Sequence, residues 1–319
     1  MCRYPKYAST GFQFNQSRAV CAGSPASDSL INVSLERSFM RFAFAGFDRW
    51  RVVFDTFVAA GWEPVALFTI PVDNQTDFNN EIIQRAQKLN IPVQLSRIVQ
   101  DDLHRLSRQQ CDALIVSGYA WRIPDWREHL RYAANFHPSP LPEGRGPYPP
   151  IQAILDDRRE WGISCHQIDT DFDTGPLIAV EHLPIAVDEW QETLQLKLQM
   201  AAQRLASRVA RDFEALWGES RSQEGGSYWP RVPEAARTFD FTRPVAETMR
   251  MVRAFGLLEC LAMVCNAKIY VRRAVAWREE HAYEPGQVVH QYHRSIVIAA
   301  ADGFVALIEW SVLSREARG

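Results

Sequence analysis

At 319 residues, with 47% hydrophobic and 23% charged residues, the chain has the composition of a folded protein too long for one comfortable core, so two domains are expected. Its 35 Lys and Arg against 38 Asp and Glu give a net charge of -3, which excludes a global pull toward nucleic acid or anionic membrane; no apolar run approaches the ~18 residues of a membrane helix. The six cysteines (2, 21, 111, 165, 260 and 265) show no CxxC pair or zinc spacing, so reduced thiols in a cytoplasmic protein and no metal site are expected.

Residues 1–39 are polar and irregular, without a charged segment leading into an apolar one, so a secretory signal is not expected. They read as a disordered extension or as sequence ahead of a true start at Met40. From there strand and helix alternate: a strand Arg41–Gly46, a helix through about Ala60, a buried strand over 64–70, a helix over 81–89, an extended 91–95, a helix near 101–108, and the apolar strand Ala113–Ser117. Runs apolar on both faces belong to parallel sheets covered by helices, which bind ligands outside the carboxyl ends of the strands. The first turn, Gly46-Phe47-Asp48-Arg49-Trp50, lacks the GxGxxG that admits a pyrophosphate, which argues against a nicotinamide dinucleotide.

The stretch from Asn135 to Gly175 carries the chemistry. Asn135 and His137 lie two apart on a strand-like segment, so their side chains share one face. Pro138, Pro140 and Pro142 then stiffen the exit. A second strand, 162–168, leads through Asp169, Thr170, Asp171 and Phe172 to Asp173. His166 reads as sheet packing or substrate lining, and Asp169 and Asp171 as residues that cap the turn.

Beyond a strand over 177–185, Asp188 is expected to cap a helix whose core stripe is Leu194, Leu198, Leu205, Val209, Phe213 and Leu216. Residues 219–227 have linker composition. They divide a catalytic domain, 40–218, from a C-terminal domain, 228–319, where a helix over 244–255 precedes short strands at 268–272, 286–290, 295–299 and 304–309, with Asp302-Gly303 a hairpin signal.

The order Asn135-x-His137-x-Ser139-x-Leu141-Pro142-x-x-x-Gly146, followed by Asp173-Thr174-Gly175, resembles the folate-dependent formyltransferases, which act on methionyl-tRNA, glycinamide ribonucleotide or amino sugars. The resemblance implies a Rossmann-like parallel-sheet domain followed by a small OB-like β-barrel, the fold class being α/β. It implies 10-formyltetrahydrofolate as co-substrate and Asn135, His137 and Asp173 as catalytic residues. Folate contacts carried over by position are Arg122, Ile123 and Pro124 in the loop after the apolar strand, Ser139, Leu141 and Pro142 on the ledge, and Asp169 to Phe172. Asn135 and a protonated His137 would hold the oxyanion, with Asp173 raising the imidazole pKa.

The acceptor is the open question. A tRNA is gripped through Lys and Arg on phosphate, yet residues 70–81 hold no basic residue and the segment from Tyr228 onward holds twelve basic against ten acidic ones. A small-molecule amine, such as a nucleotide-linked amino sugar or a modified amino acid, is therefore expected ahead of tRNA. One extra residue between Gly146 and Ile151 reshapes the acceptor lip, where Tyr148 either stacks on a ring or packs on its neighbouring prolines. A formyltetrahydrofolate hydrolase, a folate-binding pseudoenzyme and an oligonucleotide-binding barrel are the alternatives.

Overall fold

The computed structural model describes residues 40–314; the reading of residues 1–39 lies outside the described residues. The elements are β1 (Arg41–Gly46), α1 (Arg51–Ala59), β2 (Glu63–Phe68), α2 (Asn80–Lys88), β3 (Val93–Gln94), α3 (Gln100–Arg108), β4 (Ala113–Ser117), β5 (Tyr132–His137), α4 (Pro149–Leu155), β6 (Glu160–Gln167) and β7 (Leu177–Pro184). They continue with α5 (Gln191–Arg211), α6 (Phe213–Gly218), α7 (Val245–Phe255), β8 (Cys260–Val264), β9 (Ala267–Arg278), β10 (Val288–Tyr292), β11 (Ser295–Ala300) and β12 (Gly303–Ser311).

The first seven strands form one sheet in the order β3-β2-β1-β4-β5-β6-β7. Five are parallel, as expected, but β6 and β7 run antiparallel to their neighbours, so the sheet is mixed rather than wholly parallel. Strand direction is not written in a run of apolar residues; it depends on how the chain returns through α4.

Alternation along β1 shows how the sheet is covered. Phe42 and Phe44 face α1 and α5, where they meet Phe54, Phe57 and Trp62, while Ala43 and Ala45 face the α3 side with Leu103 and Leu106. Each of these phenylalanines is fully buried, an exclusion from water of roughly 2–3 kcal/mol. Strand β5 keeps the same parity: Ala134 and Phe136 go to the α5 side, which leaves Asn135 and His137 on the other face with Ala133.

The stripe on α5 is core as expected, with Leu194, Leu198, Leu205 and Val209 buried. Its start differs. Asp188 does not cap it; buried Glu189 accepts from the Ala186 N–H and Thr193 Oγ1 and pairs with Lys197.

The C-terminal strands form a five-stranded antiparallel sheet in the order β10-β11-β12-β9-β8. Closure into the OB-like barrel is not among the described pairings. Strand β8 is an addition to the expected set: its hairpin turns at Cys265-Asn266, both at positive φ (48° and 64°), a turn without the Asn-Gly signature that makes hairpins legible. Helix α7 packs on α4 and on β9, and one apolar cluster runs without a break from α1 and α5 through α7 to the C-terminal sheet.

Candidate active site

In strand order the chain turns back between β1 and β4, and the cleft opens beyond the carboxyl ends of β1, β4 and β5, the place such a sheet offers a ligand. At its floor His137 Nδ1 lies 3.2 Å from Asp173 Oδ1, with both side chains buried. Asn135 Nδ2 lies 3.4 Å from the same oxygen. The three expected catalytic side chains therefore converge on one point, as strand parity requires of the first two.

A fourth joins them. In the β5–β6 register His166 stands opposite Asn135, and residues opposite each other across an antiparallel pair share a face. His166 Nδ1 donates to the Gln167 carbonyl at 2.7 Å, and Nε2 lies 3.1 Å from Asn135 Nδ2 and 3.6 Å from Asp173 Oδ1; in the neutral ring Nε2 accepts from Asn135, and in the protonated ring it faces Asp173 as a donor. His166, expected as sheet packing or substrate lining, lines the cleft; its pairing with Asn135 follows from the β5–β6 register, which composition does not carry.

Asp173 bends back to the floor from the left-handed region, φ 60°, where a non-glycine residue is strained and needs holding. Its Oδ2 accepts from the Gly146 N–H at 3.1 Å. Gly146 is held in turn: at φ +115° any Cβ would sit 2.2 Å from the Trp229 carbonyl oxygen. His137 Nε2 lies 3.0 Å from the Gly144 carbonyl, so both ring nitrogens face oxygen acceptors.

Burial opposes ionisation of the Asp173 carboxyl, but the His137 and His166 rings and the Gly146 N–H more than offset it and hold its pKa down at about 2. For His137 burial dominates and lowers its pKa below the ordinary 6.5, although Asp173 and the Gly144 carbonyl pull it upward. This corrects the expectation that Asp173 would leave the imidazole charged: a ring removed from water loses more by desolvation than one neighbouring carboxylate returns.

Two loops form one wall, 118–123 after β4 and 168–172 after β6, on the α3 side where Trp121, Ile123 and Ile168 pack against the core. Arg122 is more than a solvated charge. It lies 3.4 Å from Asp171 and 5.5 Å over the Phe172 ring, tying one loop to the other. Asp169 pairs with Arg127 and accepts from the Thr170 N–H, so it caps the turn as expected. Arg122, Ile123, Asp169, Thr170, Asp171 and Phe172 all line the cleft.

Pro124, Ser139, Leu141 and Pro142 are not among the lining residues. Ser139 and Leu141 are buried; the Ser164 hydroxyl accepts from the Leu141 N–H and donates to the Ser139 carbonyl, so the ledge is fastened to β6. Ser139 and Leu141 thus brace the exit from His137.

The rest of the lining includes Phe47, Arg49 and Trp50, of which Phe47 and Trp50 pack against Gly118, together with Tyr148, Tyr228 and Arg231. Tyr148 packs beneath the Arg231 guanidinium, 5.6 Å from the ring centre. Residues 219–231 are no loose tether: Arg145 N–H donates to the Ser227 carbonyl, Trp229 N–H to the Arg145 carbonyl, and the Trp229 ring stacks on Trp161 at 5.2 Å.

Residues 72–210 match the Formyl transferase family and residues 231–316 the Formyl transferase, C-terminal domain. The methionyl-tRNA formyltransferase of Janthinobacterium sp. (strain Marseille) is 29% identical over 203 residues, 62% of this chain and 64% of that one. That of Hahella chejuensis is 25% identical over 260 residues, 78% of this chain and 81% of that one. The chain thus spans just under two thirds of the length of the first of these relatives.

Among solved structures, the N-formyltransferase of Helicobacter canadensis, in complex with folinic acid and dTDP-3-aminofucose, matches with a TM-score of 0.62 at 18% identity, covering 86% of this chain and all of that one. HypX from Aquifex aeolicus in complex with tetrahydrofolic acid matches at 0.61 and 18% identity, over 86% of this chain and 44% of that one. These likenesses are of fold. With both family domains matched in chain order and the Asn135, His137 and Asp173 cluster assembled, the chain belongs to the formyl transferase family.

Proposed function

We propose that this protein transfers a formyl group from 10-formyltetrahydrofolate to a primary amine. The observation that carries the reading is the convergence of Asn135, His137 and Asp173 at the floor of a cleft walled on one side by loops 118–123 and 168–172. The apolar Trp121, Ile123 and Phe172 suit a flat pterin ring, and the loops offer main-chain groups along its edge.

In the proposed reaction the amine nitrogen attacks the formyl carbon, the carbonyl oxygen takes up negative charge, and the bond from carbon to N10 breaks as a proton passes from the attacking nitrogen to N10. The first of Asn135's two N–H groups is held by His166. The second makes only the long 3.4 Å contact with Asp173 and is the donor free to turn to the oxyanion, an interaction worth ~3 kcal/mol in acyl-transfer sites. His137, its pKa lowered by burial, starts neutral and takes the proton of the attacking amine. As a base it carries its one proton on Nδ1 toward Asp173, so its bare Nε2 turns from the Gly144 carbonyl to the reacting group; the imidazolium formed is stabilised by Asp173, and delivers its proton to N10.

For the acceptor, a small amine is one reading. The loop over 70–79 folds on itself and presents no cation of its own: Asp73 accepts from the Gln75, Thr76 and Asp77 N–H groups, and Arg49 of the cleft wall is engaged by Asp77 and the Thr76 carbonyl. The relatives named methionyl-tRNA formyltransferase give tRNA equal standing, so it is no longer the disfavoured partner. Purified protein given labelled 10-formyltetrahydrofolate, methionyl-tRNA and a panel of amino-sugar nucleotides separates the two. Formyl transfer to the sugars alone supports the small amine and transfer to tRNA alone the second reading; transfer to neither removes the proposed activity.

A further inference from the structure

Gln223 lies in the segment whose composition reads as linker, yet its amide makes four hydrogen bonds. Its Oε1 accepts from Arg145 Nε at 3.1 Å and Nη2 at 2.9 Å, while its Nε2 donates to the Asp173 carbonyl at 2.9 Å and the Gly175 carbonyl at 2.7 Å. The neighbours settle which end is which: turned over, the amide would set NH2 against a guanidinium and oxygen against two carbonyls. The two carbonyls flank Thr174, so the amide bridges the turn that carries Asp173 at φ 60°, the conformation that most needs outside support.

Arg145 extends the clamp to the other side of the floor. Its neighbours are Gly144, whose carbonyl faces His137, and Gly146, whose N–H donates to Asp173. The same segment then zips onto 144–146 through Ser227 and Trp229 and sends Tyr228 and Arg231 into the cleft wall.

We infer that Gln223 is a positioning residue for Asp173, linking the cleft wall at Tyr228 and Arg231 to the placement of the carboxylate beside His137. The chemical consequence rests on the formyl-transfer reading; the geometry does not. A carboxylate displaced by about an ångström costs rate without costing substrate affinity. It also relieves His137 of the one anion that opposes burial. The titratable groups facing that ring are Asp173 and His166, so withdrawal of the first shifts its titration to lower pH.

The test is an NMR titration of the histidine rings in wild type, Q223L, Q223E, D173N and Q223L/D173N, with thermal melts beside it. Q223E keeps an acceptor for Arg145 but loses the donor to both carbonyls, so it isolates the half of the clamp that touches Asp173. In Q223L and Q223E the His137 titration is expected to move to lower pH, and Q223L is expected to add nothing once Asp173 is Asn. With an active acceptor in hand, kcat falls about tenfold or more and acceptor KM stays within about threefold. A His137 titration unchanged in both Gln223 variants, or an equal Q223L shift with and without Asp173, overturns the positioning role. Absence of formyl transfer by wild type would overturn the proposed function instead, and the ring titration would still decide this point.

Discussion

The floor of the cleft and its far wall are built on opposite plans. The floor rests on β5, an interior strand paired on both sides, where parity and burial fix Asn135 and His137 together. The far wall rests on residues 219–231, a segment rich in Ser, Gly and Glu, held by side-chain and main-chain bonds to 144–146 and to the turn at Asp173. A strand advertises itself by its alternation. A strap held by bonds to carbonyls leaves no periodic trace, because any polar side chain of the right reach would look the same in composition.

The comparison breaks first at Gly146, where wall and floor touch. Gly146→Ala places a methyl group against the Trp229 carbonyl at a φ that only glycine adopts freely, so denaturant unfolding should show a loss of at least about 2 kcal/mol, along with impaired catalysis. Unchanged stability would mean that the two regions are not pressed together there.

Acid sharpens the contrast from the floor side. Asp173 has a folded pKa near 2, below its ordinary 3.8, so its stabilisation, on the order of 2 kcal/mol, is present above pH 4 and lost as pH falls toward 2. His137 is also lowered: the unfolded chain binds its proton first, below about 6.5, so stability already begins to fall there. H137N should flatten the stability curve in the upper window and D173N in the lower. A wild-type curve flat from pH 6.5 to 3 would contradict both.

Smaller effects follow from the residues that orient and tie. His166→Leu frees one Asn135 N–H from its acceptor and should lower kcat roughly tenfold with little change in folate binding, the loss of one orienting hydrogen bond. Arg122→Ala cuts only an exposed ion pair and a ring contact, so folate affinity should weaken by no more than about fivefold and stability by less than about 1 kcal/mol.

What was legible in the sequence follows the same division. The runs Arg41–Gly46 and Ala113–Ser117 are buried on both faces and declare a covered sheet; Asn135, His137 and Asp173 declare themselves by family order and by parity. The antiparallel return of β6 is not legible, and neither is the contact it gives between His166 and Asn135. Strand β8 is not legible because Cys265-Asn266 turns at positive φ without a glycine. The ledge residues Ser139 and Leu141, expected as ligand contacts, are buried and fastened to Ser164 of β6, a bracing that composition does not announce.

The most direct measurement pairs equilibrium binding of 5-formyltetrahydrofolate with formyl transfer from 10-formyltetrahydrofolate, in wild type, H137N and D173A. Folate binding is expected to stay within about threefold in both variants while kcat falls by a factor on the order of 1,000, since proton transfer and charge stabilisation are lost and the loops proposed to hold the ring are not. Wild-type turnover in purified H137N or D173A would contradict the account at its centre.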